Sequence, residues 1–108
     1  MYSLKEKFGL RLKELRKSKS LTQEQIAEKV GIEPVNISKI ERGMHFPQPD
    51  KIEKFASALD IDIKELFNFG HIQDRQELVI SIIESLNHLG IKEIEMVYKF
   101  ISILKLYK

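Results

Sequence analysis

Cysteine is absent from the 108 residues, which excludes a disulfide framework and any thiolate zinc site. Histidine is scarce as well: His45, His71 and His88 stand too far apart for standard ligand spacing and read as surface residues, so no metal is expected. No segment approaches the roughly 18 uninterrupted apolar residues that a membrane span requires. The opening stretch, "MYSLKEKFGLRLKELRKSKS", alternates charged and apolar side chains instead of building the apolar centre of a signal peptide. A cytoplasmic location is therefore the expectation. No Gly-rich phosphate loop is present, and no nucleophile stands in a recognisable setting, so neither catalysis nor a cofactor is expected.

Excess charge is also small, a formal +2, but it is unevenly placed. Residues 1–43 hold ten Lys or Arg against six Glu, residues 44–70 three against five acids, and residues 71–108 five against five. An anionic partner would meet the N-terminal part.

What the chain does have is helical period throughout. Phe8, Leu12 and Leu15 fall at i, i+4 and i+7, predicting a helix over about residues 4–18. Thr22 and Gln25 form a capping box that starts a second helix with Ile26, Ala27 and Val30 inward, and Gly31 ends it. Pro34 suits the first turn of a third helix, about 34–41, with Val35 outward and Ile37 and Ile40 inward. After the turn "FPQPD", a fourth helix over roughly 49–59 buries Ile52, Phe55, Ala56 and Leu59. Asp62 and Glu65 suggest a further capping box before a short fifth helix carrying Leu66 and Phe67.

The connector "NFGHI" is short and partly apolar, unlike a flexible Gly/Ser linker. Asp74 and Glu77 then cap a sixth helix, with Leu78, Val79, Ile82, Ile83, Leu86 and Leu89 in register up to Gly90. A seventh helix, about 92–106, has two apolar stripes: Ile94, Val97, Ile101 and Leu104, and Met96, Phe100 and Ile103. Together they cover more than half the circumference, wider than one core contact needs. We read Ile94, Val97, Phe100, Ile101 and Leu104 as a dimerisation surface, with the bland alternative that both stripes are consumed inside one chain.

Two helices joined by a turn containing Gly, the second opening on exposed polar and small side chains, have the layout of a DNA-binding helix-turn-helix. The segment "TQEQIAEKVGIEPVNISKIERG", followed by "PDKIEKFASALDIDIKELF", resembles the Cro/phage-repressor type of helix-turn-helix family, also called XRE-like, over about residues 5–67. The resemblance rests on Thr22-Gln23-Glu24, Ala27, Gly31, Ile37-Ser38 and Ile40-Glu41-Arg42-Gly43. It implies a five-helix repressor-like domain, residues 1–68, that binds double-stranded DNA as a dimer; residues 69–108 fall outside the resemblance and are read from their own apolar pattern as a C-terminal helical dimerisation segment, so the whole chain is expected to be all-α. It also implies that Gln23, Pro34, Val35, Asn36 and Lys39 face the nucleic acid. Two positions depart from the pattern: Glu33 stands where Ser or Thr usually caps the third helix, and Asp60 where Gly is common after the fourth.

Residue by residue, Gln23 at the start of a helix suits a phosphate contact, against a plain solvated side chain. Arg11 would reach the backbone of the same strand or simply line a solvated face. Val35 suits a thymine methyl, Asn36 an adenine edge or a phosphate, and Lys39 a guanine edge or the backbone. Glu33 would accept from cytosine N4 or serve only as a cap. Pro34 positions backbone, and Arg42 would touch a phosphate or pair with an acid. The functional readings that follow are a transcriptional regulator, most naturally a repressor on a near-palindromic operator. The alternatives are an antitoxin that also holds a toxin protein, and an interaction module that has kept the fold without binding DNA.

Overall fold

The computed structural model describes residues 1–107, and among these the secondary structure is entirely helical. Seven helices follow in order: α1 (Leu4–Ser18), α2 (Gln23–Val30), α3 (Pro34–Glu41), α4 (Pro49–Leu59), α5 (Ile63–Leu66), α6 (Arg75–Leu86) and α7 (Ile91–Lys105). The all-α class and the helix order expected from hydrophobic period are those observed.

Residues fold into two compact units, one spanning Met1–Gln73 and one beginning at Asp74. In the first, α1 packs on α3 and α5, α2 on α3 and α4, and α4 on α5. The core gathers Phe8 and Leu12 from α1, Ile26, Ala27 and Val30 from α2, Ile37 and Ile40 from α3, Phe55, Ala56 and Leu59 from α4, and Leu66 from α5. Phe46 and Phe67 set their rings 5.0 and 5.5 Å from Phe8, closing one end of it.

Local signals explain the helix limits. Ser3 caps α1 by accepting from the Glu6 amide at 3.2 Å, while the Glu6 carboxylate accepts from the Ser3 amide at 3.0 Å. Asp60 ends α4 with φ 56° and ψ 51°, a left-handed position in which a short polar side chain stands in for glycine. The capping box expected at Asp62 and Glu65 does not form. Glu65 instead turns its carboxylate to Arg11, and a four-residue helix has little to gain from a reciprocal cap.

The second unit is described by itself. Asp74 accepts from the Glu77 amide at 2.9 Å and starts α6, and Gly90 precedes α7. Neither helix contributes a buried residue. No helix among the described residues is long and apolar enough to cross a membrane.

Candidate nucleic-acid interface

The interruption between α2 and α3 is built from three local devices. Thr22 Oγ1 accepts from the Gln25 amide at 3.0 Å and the Gln25 side chain accepts from the Thr22 amide at 2.8 Å, which fixes the start of α2. Gly31, at φ 82° and ψ 36°, reverses the chain, and the amides of Gly31 and Ile32 both donate to the Ala27 carbonyl at 2.8 and 3.1 Å. Pro34 then occupies the first turn of α3, where its missing N–H costs nothing.

α3 is anchored by one face and open on the other. Ile37 and Ile40 are buried against α1 and α2, and Ala27, whose small side chain permits the close crossing, is buried beneath them. Val35 keeps 56% of its surface exposed. Asn36 is exposed beside it, and Lys39 and Pro34 are half-buried. At about 100° per residue, Val35, Asn36 and Lys39 share one side of the helix within a single quadrant or slightly more. An exposed branched aliphatic side chain beside an ammonium and an amide offers one apolar contact and two polar ones, the chemistry that base edges in a major groove ask for.

Behind this face lies a charge network that the sequence reading missed. Arg16 Nε and Nη2 donate to the two oxygens of Glu41 at 2.7 and 3.0 Å, and Arg16 Nη1 donates to the Leu21 carbonyl at 2.7 Å. Both residues are buried, and the Glu41 carboxylate raises the Arg16 pKa against the opposing effect of burial. Gln23 Nε2 donates to the same Glu41 oxygen at 3.0 Å. The pair therefore ties the end of α1, the start of α2 and the end of α3 together, and it orients Gln23, which remains partly exposed. A signal was present: Arg16 continues the line Phe8, Leu12 at i+4, and Glu41 follows Ile37 at i+4, so both charges occupy inward positions.

Gly9 was also passed over. A Cβ there would lie 2.2 Å from the Ile40 carbonyl oxygen and 2.7 Å from that of Glu41, so glycine is what lets α1 approach the backbone of α3.

Among the expected contacts, Arg11 is corrected. It is 9% exposed; its Nε donates to the Glu65 carbonyl at 2.8 Å, its Nη2 to the Glu65 carboxylate at 3.2 Å, and its Nη1 to Glu14. Its charge braces α1 to α5 and is not placed for phosphate. Arg42 stays exposed, with only a 3.3 Å bond from its Nε to the Ser38 carbonyl. Glu33 occupies the N-cap of α3 but makes no side-chain cap bond.

Known proteins resemble this chain over the helix-turn-helix part. The HTH_3 helix-turn-helix family profile matches residues 12–66. The HTH-type transcriptional regulator RghRB of Bacillus subtilis is 43% identical over 68 residues, covering 61% of this chain and 49% of its own length, so the chain spans about half of that relative. The cryptic phage CTXphi transcriptional repressor RstR of Vibrio cholerae is 35% identical over 89 residues, 81% of this chain and 80% of its own. The crystal structure of the restriction-modification controller protein C.AhdI from Aeromonas hydrophila superposes with a TM-score of 0.59 at 42% identity, over 61% of this chain and all of that one. With the matched profile spanning α2, the Gly31 turn and the exposed α3, the chain belongs to the HTH_3 helix-turn-helix family.

Proposed function

We propose that this protein is a sequence-specific DNA-binding transcriptional regulator that represses as a homodimer on a near-palindromic operator. The observation that carries the reading is the outward face of α3: Val35, Asn36 and Lys39 project from a helix whose other side is locked into the core by Ile37 and Ile40. A rigid helix with an open polar and small-apolar side enters a major groove at low entropic cost. Gln23, at the first turn of α2 and steadied by Glu41, holds a phosphate and sets the register. Repression is the mode named for RstR, a relative matched over most of both lengths.

The homodimer reading draws on the second unit. Phe100, Ile101 and Leu104 are 61%, 43% and 50% exposed, with Ile94 and Val97 on the same broad face. An apolar surface of this kind is rarely left to solvent on a monomer. Paired copies place two recognition helices about 34 Å apart, one helical turn of duplex.

Selection of binding sites from random duplexes tests the reading. The wild type should enrich a two-fold site, Val35→Ala and Lys39→Ala should relax the preference at separate positions, and Gln23→Ala should weaken every duplex alike. A protein that enriches no duplex, or whose affinity hardly changes with salt, is not a DNA-binding regulator.

A further inference from the structure

Glu33 has a fixed backbone and an uncommitted side chain. Its φ of −72° and ψ of 143° are extended, and its carbonyl accepts from the Asn36 and Ile37 amides at 2.9 and 3.4 Å. Ser3, Thr22 and Asp74, the residues in the equivalent position of α1, α2 and α6, turn a side-chain oxygen onto a helix amide, whereas Gln48 and Asp62 before α4 and α5 do not. Glu33, one methylene longer than Asp, makes no such bond. The residue is exposed, and none of the ion pairs among the described residues includes it. An unpaired carboxylate thus stands two residues before Val35, on the side of the protein that meets a polyanion.

Phosphates repel that carboxylate, so a duplex accommodates it only where a donor is on offer. The major-groove edges differ sharply in this respect. Guanine presents two acceptors, thymine an acceptor and a methyl, and adenine an amino group beside the N7 acceptor, whereas cytosine presents only its N4 amino group. Cytosine is the one base whose edge is all donor.

We propose that Glu33 is a specificity-determining residue that accepts a hydrogen bond from a cytosine amino group at one position of each half-site. It excludes guanine and thymine there because they leave its carboxylate desolvated and unpaired, and it disfavours adenine because the N7 acceptor beside the adenine amino group repels the carboxylate. The inference rests on α3 being the recognition helix. Glu33 then lowers affinity for unrelated DNA while sharpening the choice of operator, an effect that a helix cap would not produce.

The test is selection from random duplexes by the full-length wild type, Glu33→Gln and Glu33→Ala, with each variant's fold checked by thermal melting. The wild type should retain cytosine at one position per half-site by roughly ten-fold or more over other bases. Glu33→Ala should lose that preference and bind unrelated duplex more tightly. Glu33→Gln should move the preference to adenine, whose N6 and N7 suit an amide, with the rest of the site unchanged. Because glutamine keeps the shape of glutamate, this variant carries the test even if alanine disturbs the start of α3. Wild type and both variants selecting the same bases with equal stringency overturns the assignment. A folded wild type that enriches nothing removes the recognition reading beneath it.

Discussion

The two units of the chain are both written in amphipathic helices, yet only one of them closes over its apolar residues. In Met1–Gln73, Phe8, Leu12, Ile26, Ile37, Phe55 and Leu66 have no exposed surface at all. From Asp74 onward, Ile82, Ile83, Met96, Phe100 and Leu104 each keep half or more of theirs. Hydrophobic period makes a helix amphipathic, but burial requires neighbours on enough sides. The first unit supplies them through five helices crossing one another; the second has two helices with apolar residues over half a turn or more. The first unit buries its apolar residues within itself, and the second leaves them exposed.

Matched substitutions sharpen that contrast. Phe55→Ala, at a fully buried site, should destabilise the first unit by about 3–5 kcal/mol in urea denaturation. Phe100→Ala in the full chain should leave that transition within about 0.5 kcal/mol and instead lower the sedimentation mass at micromolar concentration. Should Phe100→Ala destabilise a protein that is already monomeric as severely as Phe55→Ala does, the apolar face of α7 is covered within one chain and the contrast fails.

A second break point lies in the charges inside the first unit. Glu41→Ala strands the buried Arg16 guanidinium and removes the partner of Gln23, so it should cost about 3–5 kcal/mol. Replacing Arg16 and Glu41 together by Met and Leu should recover much of that loss while leaving phosphate binding weak, because Gln23 stays unsupported. A Glu41→Ala protein as stable as the wild type would show that the pair is not holding the three helices together.

The helices were legible because their caps and periods agree: Thr22 with Gln25, Gly31, Pro34 and the i, i+1, i+4 spacing of Ile26, Ala27 and Val30 all state the same geometry. The open side of α3 was legible for the same reason, since Val35 is the one large aliphatic residue of that helix off the inward line. Pairing between distant segments was not. Arg11 and Arg16 look alike in "GLRLKELRK", five residues apart on one helix, but their partners Glu65 and Glu41 lie on other elements and come within reach only after folding. Gly9 shows its purpose only once the backbone of α3 lies against it. Asp60 adopts its left-handed φ because the chain must turn there to bring α5 under Phe8, a demand that the local sequence expresses weakly.

The smallest expected effect lies at the end of the first unit, where Ile72 is nearly buried and His71 Nε2 approaches Glu14 Oε1 at 2.6 Å. Burial raises the Glu14 pKa, but the hydrogen bonds from His71 and Arg11 and their charges outweigh it, so the carboxyl sits below its usual value. A group whose folded pKa is depressed contributes stability above its unfolded pKa and loses it as pH falls through the folded one. His71→Ala removes one of these hydrogen bonds and leaves Arg11, so the Glu14 midpoint should rise. Carbon-13 NMR of the Glu14 carboxyl through an acid titration reads this directly. Glu14 is largely open to solvent, and screening keeps the stability change small, which is why the midpoint and not the melting temperature is the measurement. A midpoint unmoved in His71→Ala would mean that the imidazole does not bond the Glu14 carboxylate in solution, and that the end of the first unit is not tied to α1 through this pair as α1 is tied to α5 through Arg11 and Glu65.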